Sequence, residues 1–491
     1  MVKENFSKLT IVFLLFLAIA GYFRIQYSFA EGVWVDETVF MWQGYRLLHS
    51  PGLLMTPDYY GNTPFPLMII ALFNIFSHDR FIAGRLTAYF FSMIGIIFVY
   101  LIGKELKNEY VGILAALLTT FNHLHWFLGS RMLMDLPETT MVSLSVYALL
   151  HFEKEKTTRH LFLLLFAVLA TTLTKLPGIL ILPGIMVYYL LRLAASPSSV
   201  FAIIPEIRKK SVRFKIIGGI LLVFFGFSVF NINRLLFFMR TLMSMTPRLV
   251  FIEHLPFMFT STIVFFIVIG TLLTFFYRKW ESIAIVCVFF SFLLAFSFLP
   301  AEPDPRHIVP IIPLGMILAS FAFFELGSIV KYFFHVPFLE IALLVMGSFF
   351  VFPLYEEGVA SNVNHSYSFT GYNEAGQWLT DNLPKNTLAY VSSQGPIRLF
   401  SGLGYADEGG PIRQIQTFGE GPVPNFSKGK VPIYLHIDLW ERGPAWSYPL
   451  NDQKIQALQK QGFRVAKVVT RKAPTQQGLQ DVPAHIFLIR D

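Results

Sequence analysis

Long apolar stretches separated by short polar loops fill the first 355 residues of the chain. A helix needs about 17–25 predominantly apolar residues to cross a bilayer, and stretches near this length recur from Leu9 to Leu354. The pattern predicts eleven membrane-spanning helices, with the bounds 8–29, 84–103, 110–129, 138–152, 161–174, 177–193, 215–237, 258–277, 281–299, 307–330 and 337–354.

One further apolar stretch, from Pro64 to Phe76, is too short to span a bilayer comfortably. Pro64 and Pro66 suit the first turn of a helix, where the missing backbone N–H costs nothing. We therefore predict a helix that lies along the outer surface of the membrane.

The pattern changes after about Tyr355, where Gly, Pro, Asn, Gln and charged residues become frequent. Helices are predicted over 371–382 and 452–461, and strands over 388–392, 431–437, 464–470 and 486–490. The fold class is therefore a polytopic α-helical membrane protein with about 11 transmembrane helices and a C-terminal soluble α/β domain. The predicted domains are a transmembrane domain, 1–355, with a long outer-face loop at 30–83, and an extracytoplasmic domain, 356–491.

The distribution of charged residues predicts how the chain is oriented in the membrane. Only 14% of the residues are charged, against about 25% in soluble domains. The net charge of +8 comes from basic residues in short loops, as the positive-inside rule describes, and it does not indicate nucleic acid as a partner. The rule places the N-terminus in the cytoplasm and, with an odd number of spans, the C-terminal domain outside, most simply at the plasma membrane. Cys287 is the only cysteine, so an intrachain disulfide is excluded.

Two pairs of acids stand where the predicted spans meet the outer loops. Asp36 and Glu37 follow the first span, and Asp135 and Glu138 precede the fourth. Charges are costly in and near a bilayer, so acids at these positions indicate chemistry at the membrane surface. The structural alternative is that Asp36 and Asp135 cap the helices that follow them.

Several cations are predicted on the same outer side. Lys175 either reaches the membrane interface or meets a phosphate, and Arg131 is a candidate partner of the acids. Arg306 suits bidentate phosphate binding, while His307 is more often a structural residue than a catalyst. Arg240 and Arg248 are further candidates for an anionic head group, with plain interfacial placement as the alternative.

These motifs, in this order, resemble the GT-C glycosyltransferases that use polyprenyl-phosphate sugars, close to glycosyltransferase family 39 and the protein O-mannosyltransferases, and more distantly the aminoarabinose transferases. The resemblance covers most of residues 8–330 and rests on six motifs: Trp34-Val35-Asp36-Glu37, Asn62-Thr63-Pro64-Phe65-Pro66-Leu67, Ala83-Gly84-Arg85-Leu86, Arg131 to Asp135, Thr174-Lys175-Leu176-Pro177-Gly178, and Pro305-Arg306-His307-Ile308-Val309-Pro310 with Pro313.

The resemblance implies an integral membrane glycosyltransferase that inverts the anomeric centre. The donor would be a sugar on dolichyl or undecaprenyl phosphate, and the acceptor a hydroxyl on a protein, lipid or glycan. Asp36 would be the general base, Glu37 its support or an acceptor contact, and Asp135 the second acid of the site. Arg85, Lys175 and Arg306 would contact the phosphate or the acids.

Three points stay open at this level. Some members of the wider superfamily bind a divalent metal between their acidic loops, so a metal cofactor is neither predicted nor excluded. Relatives often carry Lys-Pro-Pro where this chain has Thr63-Pro64-Phe65-Pro66. Either Lys175, Arg306 or another cation neutralises the phosphate, or the donor geometry differs. The rival functions are a transporter or flippase of lipid-linked sugars and a membrane scaffold.

Overall fold

The computed structural model describes residues 8–30, 32–51, 64–195, 249–298, 304–367, 369–392, 394–404, 409–414, 426, 432–438, 452–475 and 478–490. The chain divides into two compact units. Unit 1 consists of Met1–Ile25, Ser50–Ile69 and Thr87–Val359, and unit 2 of Gln26–His49, Ile70–Leu86 and Ala360–Asp491. The predicted domain boundary at residue 355 stays a prediction.

Helices make up almost all of the described part before residue 367. They are α1 (Lys8–Ser28), α2 (Val35–His49), α3 (Pro64–Ser77), α4 (Arg80–Leu106), α5 (Glu109–Phe121), α6 (His123–Gly129), α7 (Asp135–Glu155), α8 (Thr158–Thr174), α9 (Ile181–Ala195), α10 (Val250–Glu253), α11 (Leu255–Phe259), α12 (Ser261–Tyr277), α13 (Trp280–Phe298), α14 (Ile311–Phe334), α15 (Leu339–Ser348) and α16 (Val351–Ser366). Two 3₁₀ turns, Leu176–Leu180 and Pro305–Ile308, precede α9 and α14.

The described helices confirm a multi-pass membrane protein. Six are long and apolar enough to cross a bilayer, or up to eight if each bent pair is one span. Eight of the predicted spans fall on these helices. The predicted spans 138–152 and 161–174 fall on α7 and α8, which are not among them, and 215–237 lies outside the described residues. The total of eleven therefore stays a prediction, as does the surface position of α3, which begins at Pro64 as expected.

The predicted span 110–129 is not one helix but the bent pair α5 and α6, which meet at an angle of 69°. At the bend, the Asn122 side chain accepts a hydrogen bond from the His125 N–H and donates one to the carbonyl of Met258. Buried Arg24 donates to the carbonyls of Thr120 and His125, at 2.7 and 2.8 Å. Because no water is available in an apolar interior, these side chains satisfy the backbone groups that a break exposes.

Helices also pack closely near the start of α5 in unit 1. The rings of Phe13 and Tyr100 stack 3.8 Å apart. A Cβ placed on Gly103 would meet the Cα of Gly112 at 2.7 Å, so α4 and α5 approach at a contact between two glycines. Contacts between small residues are a common way for membrane helices to pack without a hydrophobic driving force.

The C-terminal part is a five-stranded mixed sheet in the order β2-β1-β3-β5-β4. Strands β1, β2 and β3 are parallel, and β5 pairs antiparallel with both β3 and β4. The elements are β1 (Leu388–Val391), β2 (Ile412–Gln414), β3 (Ile433–Asp438), β4 (Arg464–Thr475) and β5 (Gly478–Arg490), with helices α17 (Tyr372–Asn382), α18 (Gln394–Ser401) and α19 (Asp452–Lys460).

Helices cover both faces of this sheet. One core contains Leu379 of α17, Val391 and Phe487, and the other contains Leu458 of α19 and Leu488. The predicted α/β domain is thus confirmed, and its two predicted helices lie close to their expected bounds. The last two strands are longer than predicted, because β4 continues to Thr475 and β5 begins at Gly478, so that the two form a long hairpin. Helix α18 and strand β2 were not predicted from the sequence.

The hydrogen bonds of Arg24 lead to a stability prediction. The Arg24→Met variant leaves buried carbonyls without a donor, so we expect a loss of about 2–4 kcal/mol and a lower unfolding temperature in nanodiscs. Arg159→Met removes an exposed arginine at the start of α8 and serves as the control. Equal unfolding temperatures for the two variants would contradict this role of Arg24.

Candidate active site

The first turn of α2 carries both acids of the first predicted pair. The helix begins at Val35, one residue before Asp36, so the alternative in which Asp36 is the N-cap is wrong. Glu37 instead reaches back, and its carboxylate accepts a hydrogen bond from the Trp34 N–H at 2.8 Å. Acids in a first turn also interact favourably with the helix dipole.

Glu37 is fully buried in an ion pair with Arg85. The Arg85 Nη2 lies 3.1 Å from the Glu37 carboxylate and donates to the carbonyl of Gly32 at 2.6 Å. The guanidinium also lies over the ring of Phe81. A buried charge is tolerated when it is paired and hydrogen-bonded, so this pair ties the start of α2 to the start of α4.

Asp36 differs from its neighbour, because it is only partly buried. The two adjacent acids thus have different surroundings in unit 2. Glu37 is engaged with Arg85, which fits the supporting role that the resemblance implied, while Asp36 keeps access to solvent. The catalytic roles of both residues stay predictions.

The second acid pair lies in unit 1, where Lys175 joins it. The Lys175 ammonium is 2.6 Å from the Asp135 carboxylate and 3.7 Å from that of Glu138. His307 Nδ1 lies 3.9 Å from Asp135. Helix α7 begins at Asp135 itself, so the N-cap alternative is wrong here also. Four residues singled out from the sequence therefore form one cluster.

A helical hairpin brings Lys175 to the acids. Helices α7 and α8 meet at a short turn around Lys156, a residue in the left-handed conformation, and Asp135 and Lys175 lie about 20 residues from the turn on either side. Because an α-helix rises 1.5 Å per residue, the two helices have nearly equal lengths. Asp135 and Lys175 therefore lie side by side at the open end of the hairpin. The sequence contained this signal, although we did not use it to predict the contact.

Local turns fix the remaining groups. Lys175 is the C-cap of α8, and a Cβ on Gly178 would meet the Thr171 carbonyl at 2.5 Å, so the chain turns tightly after the lysine. Asp304 accepts a hydrogen bond from the Arg306 N–H, and the two side chains pair at 2.9 Å. Arg306 therefore lies in the turn directly before α14.

Burial and charge set the protonation of the cluster. Burial by itself would lower the pKa of Lys175, but Asp135 and Glu138 outweigh it and raise that pKa above its ordinary value. Burial, assisted by the charge of Lys175, lowers the pKa of His307 to about 4. At neutral pH the lysine is therefore charged and the imidazole of His307 is neutral.

The donor set does not fit a metal ion. In the described part of the chain, no group of three or more His, Cys, Asp or Glu residues has a geometry that could hold one. Lys175 already lies against Asp135 and Glu138, so a divalent cation would compete with its ammonium group.

The remaining predicted cations are Arg131, Arg240 and Arg248. Arg131 is buried with its guanidinium over the Phe127 ring, 5.6 Å from the centroid. Arg240 and Arg248 lie outside the described residues. The two acid sites belong to different compact units, so their predicted convergence on one face stays a prediction.

Comparisons with known proteins agree with this architecture. The family model described as dolichyl-phosphate-mannose-protein mannosyltransferase matches residues 61–232. No curated protein sequence matches the chain. ArnT from Cupriavidus metallidurans is a similar solved structure, with a TM-score of 0.61 in the apo state and 0.62 bound to undecaprenyl phosphate. Each match has 13% identity and covers 98% of this chain and 97% of that one.

A second solved structure has the same fold over a smaller share of the two chains. The archaeal oligosaccharyltransferase AglB from Archaeoglobus fulgidus, in complex with an inhibitory peptide and a dolichol-phosphate, has a TM-score of 0.54 and 11% identity. The match covers 79% of this chain and 63% of AglB. The chain therefore has the GT-C fold, and its recognition from the sequence as similar to GT-C glycosyltransferases is confirmed.

The cluster around Lys175 leads to a second prediction. In a double-mutant cycle of Lys175→Met and Asp135→Asn, we expect a coupling energy of about 1–3 kcal/mol in thermal or denaturant unfolding, because each partner alone leaves a charge in a largely buried place. The exposed pair Lys104 and Glu109, 2.9 Å apart, is the control, with an expected coupling of about 0–1 kcal/mol. Additive effects of Lys175→Met and Asp135→Asn would show that the contact contributes nothing.

Proposed function

We propose that this protein transfers a sugar from a polyprenyl-phosphate donor to a hydroxyl group at the outer face of the membrane, with inversion of the anomeric centre. The donor carrier would be dolichyl or undecaprenyl phosphate. The acceptor class is a protein, lipid or glycan that carries a hydroxyl. In this proposal the N-terminus is cytoplasmic, as the distribution of loop cations supports.

The observation that carries the proposal is the unequal state of the two adjacent acids. Glu37 is buried and engaged with Arg85, whereas Asp36, in the same first turn, is partly open. A base must be ionised, fixed in position and accessible to the proton that it accepts. Asp36 meets the last two requirements because the Glu37–Arg85 pair holds the helix start while the Asp36 side chain retains access to solvent.

The reaction is then a single displacement. The Asp36 carboxylate takes the proton of the acceptor hydroxyl as its oxygen attacks the anomeric carbon. The bond from that carbon to the phosphate oxygen breaks, and polyprenyl phosphate leaves with the electron pair. Attack on the face opposite the leaving group inverts the anomeric centre.

Lys175 and Arg306 are the proposed partners of the carrier phosphate. Each has a carboxylate neighbour, Asp135 or Asp304, yet an ammonium has three donors and a guanidinium five, so both can also bind an anion. Cations bound to the carrier phosphate would stabilise the negative charge that develops on it as it leaves. The undecaprenyl phosphate of ArnT and the dolichol-phosphate of AglB support a donor of this class.

The base assignment is tested by Asp36→Asn, which keeps the side-chain shape but removes its basicity. We expect transfer in nanodiscs to fall about 10²–10⁴-fold, with donor affinity unchanged. Asp79→Asn is the matched control, because Asp79 is an exposed acid at the start of α4. An Asp36→Asn enzyme that transfers sugar at the wild-type rate would refute the role of Asp36.

The phosphate assignment is tested by Arg306→Gln, which keeps hydrogen-bonding capacity and removes the charge. Loss of one charge-assisted contact should weaken binding of undecaprenyl phosphate about 10-fold or more. Lys331→Gln, at an exposed pair with Glu340, should bind the lipid as tightly as wild type. Native mass spectrometry measures both affinities, and equal binding by Arg306→Gln and Lys331→Gln would exclude the phosphate contact.

A further inference from the structure

Helix α18 of the C-terminal sheet lies against α2, the helix that bears Asp36. Both helices belong to unit 2. Helix α18 follows strand β1, after the end that carries Val391. Its residues contact Thr38 and Trp42 of α2, which have the i, i+4 spacing of one helix face.

The closest approach occurs at Gly395, in the first turn of α18. A Cβ at this position would lie 2.5 Å from the Thr38 Oγ1 and 3.6 Å from the carbonyl of Val35. The Thr38 hydroxyl cannot turn away freely, since it donates to that same Val35 carbonyl at 2.6 Å. Val35 and Thr38 flank Asp36 in the first turn, so Gly395 packs on the turn that holds the candidate base.

Two guanidinium groups extend the contact along α2. Arg398 of α18, which is almost fully buried, lies over the ring of Trp42 at 4.9 Å. Arg80 lies over Tyr45 at 4.8 Å and over Trp42 at 5.5 Å, and it donates to the Leu399 carbonyl at 2.8 Å. Stacking of guanidinium groups on aromatic rings is favourable, more so when the site is dry.

Helix α18 is itself anchored in the sheet domain. Ile397 belongs to the core formed with α17 and the sheet. The Thr380 hydroxyl of α17 donates to the Ser401 carbonyl at 2.9 Å, and the Gln394 side chain donates to that of Gln414 on β2 at 2.6 Å. A displacement of this domain is therefore transmitted to α2.

We propose that the C-terminal domain positions Asp36 for catalysis through α18, with Gly395 and Arg398 as positioning residues. The proposal rests on the proposed function, because it assigns Asp36 as the base. It makes the sheet domain part of the catalytic machinery and not only a module that recruits acceptor. Perturbing the α18–α2 contact lowers the turnover at saturating donor and leaves the donor KM near its wild-type value.

The test uses Gly395→Ala, Thr38→Ala and the double variant in the full-length protein in nanodiscs. The readouts are kcat and donor KM with a radiolabelled undecaprenyl-phosphate sugar that wild type uses, and hydrogen exchange of residues 35–49. We expect Gly395→Ala to lose at least 10-fold in kcat, with KM within about 2-fold and faster exchange of the first turn of α2. Removing the Thr38 hydroxyl makes room for the new methyl group, so the double variant should recover most of both losses.

Two further variants keep the proposal falsifiable if Gly395→Ala folds poorly. Arg398→Lys retains the charge and loses the planar stack on Trp42, and it should also lower kcat without changing KM. Leu458→Ala weakens the opposite core of the sheet domain without touching α2 and should leave kcat unchanged below its unfolding temperature.

Three results would overturn the positioning role: wild-type kcat in both Gly395→Ala and Arg398→Lys, no recovery in the double variant, or an equal loss of kcat in Leu458→Ala. Failure of the proposed function gives a different pattern. In that case wild type transfers no sugar from any donor, while hydrogen exchange still reports whether Gly395→Ala loosens α2 and whether Thr38→Ala relieves it.

Discussion

The ion pair between Glu37 and Arg85 is the interaction on which the arrangement of the first acid site depends. Both side chains are fully buried at 3.1 Å, so neither charge is tolerable without the other. The pair also reaches the carbonyl of Gly32 and so fixes the chain where it enters α2. The two neighbouring acids therefore differ in their surroundings. Glu37 fixes the first turn of α2, and the Asp36 side chain is partly exposed.

The same physical logic organises the second site. Asp135 and Glu138 stand in the first turn of α7, and the ammonium of Lys175, at the matching end of α8, lies 2.6 Å from the carboxylate of Asp135 and 3.7 Å from the carboxyl group of Glu138. The imidazole of His307 next to them is neutral at neutral pH. In both sites a cation pairs with an acid in the first turn of a helix.

Much of this architecture follows from the sequence because membrane spans and alternating strands leave strong local patterns. Three features could not be predicted from the sequence, each for a physical reason. The bend between α5 and α6 is stabilised by hydrogen bonds from Arg24, about 100 residues away along the chain, and a local pattern does not show such a distant contact. Helix α18 has only eight residues and is stabilised by its packing. The prediction that Asp36 and Asp135 are N-caps failed because α2 begins two residues earlier, and α7 one residue earlier, than such a cap requires.

The most direct test of sugar transfer follows both halves of the donor. An undecaprenyl-phosphate sugar labelled separately in the sugar and in the phosphate is incubated with the protein in vesicles that contain cell-envelope acceptor. The proposal predicts that sugar label moves to the acceptor while an equal amount of undecaprenyl phosphate is released in the membrane. Movement of intact, doubly labelled donor across the bilayer without cleavage would contradict it and establish a transporter.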